Sequence, residues 1–275
     1  MDARLPRKGL FAAVAVAATV GLSATSGAAA GEPPALMPDL APLPIGADDL
    51  VVIDEKPKTV LRLSTEVTNR GAGPLEVFPS EVSHDCDGNG DPADDRNAAQ
   101  RLFADTDGSG AFESGSDGVL SERTFGCIRY HPAHGHWHVL DFARYELRRE
   151  PTGRLVSSSN KIGFCLADHH LAYPGPGTPA APHYPFGSSS QEACDETATQ
   201  GLSVGWTDAY VFSLPGQQLD ITGLRRGHYC LSVRIDPLDL LAEDDRVSNQ
   251  RRVRLALRPN RQAVRRLAGR CRTQL

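Results

Sequence analysis

His131-Pro132-Ala133-His134-Gly135-His136-Trp137-His138, running on into Val139-Leu140-Asp141-Phe142-Ala143-Arg144-Tyr145-Glu146-Leu147, decides how this chain is read. Four of its nine histidines fall in the first eight of these residues. His134, His136 and His138 recur with period two. On an extended strand, side chains at i, i+2 and i+4 project from one face. A helix would keep His134 beside His138 but turn His136 away, and Pro132 and Gly135 both oppose a helix. The spacing therefore predicts a β-strand carrying three imidazoles side by side. Such a set of neutral nitrogen donors suits a borderline metal such as copper or zinc, with room for water or substrate. A solvated histidine-rich strand is the plainer alternative. The alternation and the apolar-polar strand that follows favour the metal.

Composition agrees with short strands. Gly (26) and Pro (20) are abundant, which favours turns over long helices. Apolar residues make up 40% and charged ones 23%, so a core can form and wholesale disorder is excluded. Strands are expected at 50–53, 59–69, 75–78, 139–147, 161–166, 201–210, 228–236 and 250–257. The fold expected is an all-β sandwich with an Ig-like core and long irregular loops. Residues 84–118 and 172–190 read as loops, the second as a Pro/Gly/Ser-rich insertion. The arginine-rich tail, 258–275, reads as a short helix or as a segment pinned by Cys271.

The first 30 residues read as a secretory signal. Arg4, Arg7 and Lys8 precede an apolar run from Gly9 to Leu22, and Ala28-Ala29-Ala30 supplies the small residues of a cleavage site. No other stretch is apolar and long enough to cross a membrane as a helix. Cleavage at Ala30 leaves 26 basic and 33 acidic residues, a net charge of about −7. Such a chain is a poor nucleic-acid binder. Six cysteines remain (Cys86, Cys127, Cys165, Cys194, Cys230 and Cys271), an even number that in an exported protein predicts three disulfides of undetermined connectivity.

Two acidic stretches resemble calcium loops: Asp85-Cys86-Asp87-Gly88-Asn89-Gly90-Asp91 and Asp105-Thr106-Asp107-Gly108-Ser109-Gly110. Arg96 and Ser116 stand where an acidic twelfth ligand is expected, so a solvated loop remains the alternative at both. Lysine is rare, four residues against 25 arginines, and Lys161 alone lies inside an apolar strand pattern. An amine that can lose its proton and react is one reason for a lysine where arginine otherwise serves; a snorkelling or surface lysine is the plainer alternative, and the better one on Lys161 alone.

Taken together, these segments resemble lysyl oxidases. HPAHGHWHVLDFARYEL (131–147) resembles their copper segment. Lys161 with Phe164-Cys165-Leu166 resembles the segment of their cofactor lysine, and GLSVGWTDAY (201–210), followed by Leu219-Asp220-Ile221-Thr222, that of their cofactor tyrosine. The resemblance runs from about Met37 to Leu257 in one order. It implies that residues 31–275 are a catalytic domain in which His134, His136 and His138 hold copper. Lys161 and Tyr210 are then cross-linked into lysine tyrosylquinone. The implied activity is secreted, oxidising a primary amine or protein lysine with O2 to an aldehyde, hydrogen peroxide and ammonia. Arg144 stands where animal members have a histidine, so the base is sought elsewhere. Asp208, two residues before Tyr210, is the candidate. The resemblance also implies a calcium site of Asp39, Leu40, Glu243, Asp245 and Asn249, with Ser248 replacing an Asn ligand. It carries over a Cys165–Cys194 disulfide; of the three ways to pair the other four cysteines, Cys86–Cys127 with Cys230–Cys271 is the one expected. Two rivals keep the histidines without the amine oxidase: a non-enzymatic copper-binding sandwich and a zinc hydrolase.

Overall fold

The computed structural model describes residues 32–86, 88–90, 95–131, 135–161, 163, 165–185 and 199–272, with the side chains of Asn160 and Lys161 excepted. The expected signal (1–30), His134, Phe164, Cys194, Asp87, Asp91 and part of the 172–190 insertion lie outside them. Residues Pro33–Leu275 group as one unit.

The Pro-rich start contributes β1 (Ala35–Leu36) and β2 (Leu40–Pro42). A hairpin of β3 (Leu50–Glu55) and β4 (Lys58–Leu63) follows, then β5 (Thr65–Asn69). The single strand expected over 59–69 is divided at Ser64. Its backbone N–H donates to the Asp49 carbonyl and its hydroxyl accepts from Phe212 N–H, so the chain leaves one ladder before joining the next. β4 pairs with β3, whereas β5 pairs with β2.

β6 (Leu75–Ser83), β7 (Asp95–Ala104) and β8 (Val119–His131) form an antiparallel meander. β7 corrects the expectation of a continuous loop over 84–118. Its buried middle, Ala98-Ala99-Gln100, is small or polar and consecutive, and Phe103 is its one large buried apolar side chain, so the strand lacks the large apolar alternation that marks one. Gln100 is buried because its amide pairs with both backbone groups of Ala242, at 2.8 and 2.9 Å. β9 (His136–Val139) completes this sheet beside β8.

β10 (Ala143–Arg149) and β11 (Arg154–Lys161) form a hairpin. β12 (His170–Leu171), β13 (Gln200–Leu202), β14 (Trp206–Tyr210) and β15 (Gln218–Asp220) are short edge or bridging strands. β16 (Gly227–Ile235) and β17 (Gln250–Arg258) are long. The tail forms a 3-10 turn (Pro259–Arg261) and β18 (Ala263–Arg266) rather than an α-helix, and Cys271 pins it to Cys230. Cys86 is bonded to Cys127, as expected. Cys165 is also disulfide-bonded, and its expected partner Cys194 lies outside the described residues.

The all-β expectation holds: four antiparallel sheets share one core, with no α-helix among the described residues. No helix there is long and apolar enough to cross a membrane. Strand alternation builds the core directly. On β10, Ala143, Tyr145 and Leu147 point in; on β17, Val253, Leu255 and Leu257 do. Each buried leucine contributes about 2 kcal/mol by removal from water. Tyr145 is fully buried, its hydroxyl 3.1 Å from Thr65 Oγ1.

Candidate active site

The histidine strand is β9. His136 and His138 lie two apart on it, and their Nε2 atoms converge to 2.9 Å, so one ring must donate to the other when no cation lies between them. His136 is buried and His138 half-buried. His131, opposite His136 on β8, adds a third imidazole whose ring centre is 5.1 Å from that of His138. Two neighbouring ring nitrogens aimed at one point fit a copper or zinc ion. His134 lies outside the described residues.

The expected strand over 161–166 stops at Lys161, which pairs with Ala143. Gly163 explains the break. It adopts φ +97°, and a Cβ there would stand 2.5 Å from His138 Nδ1. The backbone thus passes against the face of His138, an approach that glycine alone allows. Two residues on, the Cys165 carbonyl accepts a hydrogen bond from the Tyr210 hydroxyl at 2.5 Å. Gly163 thus lies against the histidine strand and Cys165 against Tyr210. Gln200 holds both sides: its amide oxygen accepts from Leu166 N–H and its amide nitrogen donates to the Trp137 carbonyl.

On β14, Asp208 alternates with Tyr210, and both are buried. Burial, reinforced by the Asp208 charge, pushes the Tyr210 hydroxyl well above the usual tyrosine range, so it stays protonated at neutral pH. The Asp208 carboxylate is 3.1 Å from Nδ1 of His169, whose ring centre is 6.5 Å from that of Tyr210. Burial works against a charge on His169. The hydrogen bond and charge of Asp208, with help from the Ala167 carbonyl and Asp168, overcome it and raise its pKa. Arg144 alternates with buried Ala143 and Tyr145 and projects from the other face of β10.

Sequence reasoning missed His169, Gln200 and Asp168. The only local signal for His169 was a His169-His170 pair without strand period. Asp168 is a structural carboxylate: buried, it accepts from the backbone N–H groups of His183, Tyr184 and Ser203 and from the Ser203 hydroxyl.

The residues expected to hold calcium come together from both ends of the chain. Glu243 Oε2 accepts from Leu40 N–H and Glu243 Oε1 from the Asn249 amide. Ser248 Oγ lies 2.7 Å from Asp39 Oδ1 and 3.1 Å from the Leu40 carbonyl. Burial pushes Glu243 up to about 7, against the pull of its Asn249 and Leu40 hydrogen bonds, and the charges of Asp236 and Asp39 add to the rise. Asp39 is likewise raised by burial, with Asp245 adding to the repulsion. Asn249 Oδ1 is buried without a hydrogen-bond partner. Crowded carboxylates and an orphan amide oxygen fit a hard cation.

A profile of the family described as Lysyl oxidase matches residues 114–266, more than half of the chain. The chain belongs to the lysyl oxidase family. Lysyl oxidase homolog 1 of Homo sapiens is 32% identical over 136 residues, which cover 49% of this chain and 21% of that protein. The protein-lysine 6-oxidases of Rattus norvegicus and Sus scrofa are also 32% identical over 136 residues, covering 30% and 49% of their lengths. The chain thus matches about a fifth to a half of the length of these curated relatives. The region shared with the lysyl oxidase family contains β9, the 161–165 segment, His169 and β14.

Proposed function

We propose that this lysyl oxidase family member is an exported copper- and quinone-dependent amine oxidase acting on primary amines or protein lysine. The carrying observation is the pair of contacts that follow Lys161 in the chain, Gly163 against His138 and the Cys165 carbonyl accepting from the Tyr210 hydroxyl. Those contacts support a lysine segment between the candidate copper ligands and the candidate cofactor tyrosine. The names of the protein-lysine 6-oxidase relatives support the reaction type.

In this reading His134, His136 and His138 hold copper, and Lys161 and Tyr210 are joined as lysine tyrosylquinone. Copper, dioxygen and the quinone supply the two-electron oxidation that no ordinary side chain performs. Overall, a primary amine, dioxygen and water become an aldehyde, ammonia and hydrogen peroxide. Asp208 takes the proton from the carbon next to the substrate nitrogen. His169, partly exposed and bonded to Asp208, hands that proton on to water. Calcium, held by Asp39, the Leu40 carbonyl, Glu243, Asp245 and Asn249, ties the N-terminal segment to the last loop. The disulfides and the signal-like first 30 residues support export.

Peptide mass spectrometry on protein matured with copper in air tests this reading. The peptides carrying Lys161 and Tyr210 are expected as one covalently joined, oxidised species. Two unmodified peptides, from protein that retains copper, would turn the reading to a non-enzymatic copper binder.

A further inference from the structure

We infer a second calcium site, independent of the copper reading, in the 105–117 loop between β7 and β8. One carboxylate oxygen each of Asp105, Asp107 and Asp117 lies within 4.8 Å of the other two. Three such charges repel unless a cation lies among them. Asp105 is the decisive member. It is only 8% exposed, and its Oδ1 has no hydrogen-bond partner. Its other oxygen accepts from Gly110 N–H. A buried carboxylate oxygen without a donor is costly, and a metal ion is the partner that removes the cost.

The remaining donors are hard oxygens in the order a calcium loop uses. Asp105, Asp107 and Ser109 alternate, and the Ala111 carbonyl lies 2.9 Å from Ser109 Oγ. Gly110, at φ +76°, provides the sharp turn after the third side-chain donor. The acidic twelfth residue missing at Ser116 is replaced by its neighbour. Asp117 folds back, its two oxygens held by the N–H groups of Thr106 and Glu113. Nitrogen and sulfur donors are absent from the group, and the two turn glycines, Gly108 and Gly110, leave it adaptable. Both features favour calcium over zinc or magnesium. Asp105 and Asp107 lie before the region matched to the family, which begins at residue 114.

The site has a structural consequence. Phe112 and Glu113 of this loop wall a cavity of about 320 Å³ together with His183 and Ser203. Ser203 bonds Asp168, the neighbour of His169. Calcium in the loop fixes one wall of this cavity.

Amide hydrogen exchange on the whole disulfide-bonded protein, with and without calcium at about 5 mM, tests the assignment. Peptides over 105–118 are expected to gain protection. Asp107→Asn, at an exposed position, should abolish that gain while leaving calcium-dependent protection at 39–40 and 243–249 unchanged. Asp105→Asn should do the same but removes a buried group, so Asp107→Asn decides if Asp105→Asn does not fold. No calcium effect on 105–118 would overturn the site, as would an undiminished effect in Asp107→Asn. Equal protection by magnesium at the same concentration would overturn the choice of ion.

Discussion

His169 shows how much one side chain gains from its tertiary neighbours. Its folded pKa lies above the ordinary histidine value because Asp208, Ala167 and Asp168 outweigh burial. The folded state therefore binds a proton there more tightly than the unfolded chain does. The stability this contributes is fully present below the unfolded pKa of about 6.5 and is lost as pH rises through the folded value. Wild-type protein should exceed His169→Asn in Tm by more at about pH 6 than at about pH 8.5. A gap that stays constant across that range would remove the Asp208 coupling. In turnover, His169→Asn should lower kcat by roughly 10–100-fold and change the pH profile of kcat/KM, with KM little altered. A kcat loss with an unchanged profile would make the residue merely structural.

At the scale of elements, Gly163, between β11 and Cys165, sets how closely the chain approaches His138. Glycine is needed there twice over, for φ +97° and for the absent Cβ against His138. Gly163→Ala should cost about 1–3 kcal/mol in urea unfolding and lower copper retention, because the ring of His138 must shift. Gly118→Ala, with open space at its Cβ and no positive φ, is the matched control and should be near neutral. Full copper retention in Gly163→Ala would separate this segment from the metal site. β7 carries a related lesson. Its Gln100, within the expected loop 84–118, caps both backbone groups of Ala242 in the loop before β17.

Across the molecule, the two disulfides described in full close loops of equal sequence separation, 41 residues each. Chain entropy alone predicts about 4 kcal/mol from either. Cys86–Cys127 joins β8 to the loop before β7, and Cys230–Cys271 holds the tail beyond β18 onto β16. Replacing both cysteines of either pair by serine should lower the urea-unfolding free energy by similar amounts. Only the second replacement should raise hydrogen exchange in 259–272. Costs below about 1 kcal/mol would mean that the unfolded chain gains little freedom when the bond is cut.

Period-two alternation was enough to predict a strand bearing His136 and His138, because side-chain direction on a strand is a local property. The strand expected over 139–147, however, breaks at 140–142, and its two parts, β9 and β10, lie in different sheets. Turn residues likewise located most strands, and the even cysteine count predicted a disulfide framework. Family motifs singled out Lys161 and Tyr210, and strand spacing from Tyr210 singled out Asp208, but not the partners that Asp208 and Tyr210 find in the fold. The division of 59–69 between two sheets, the strand hidden in 95–104 and the Gln100 and Gln200 clamps were not legible. Each depends on partners far away in the chain. The same holds for His169 beside Asp208 and for Asp117 folded back onto Asp105. Such pairings are made by packing whole sheets around one core, and no local pattern encodes which distant backbone or carboxylate a side chain will reach.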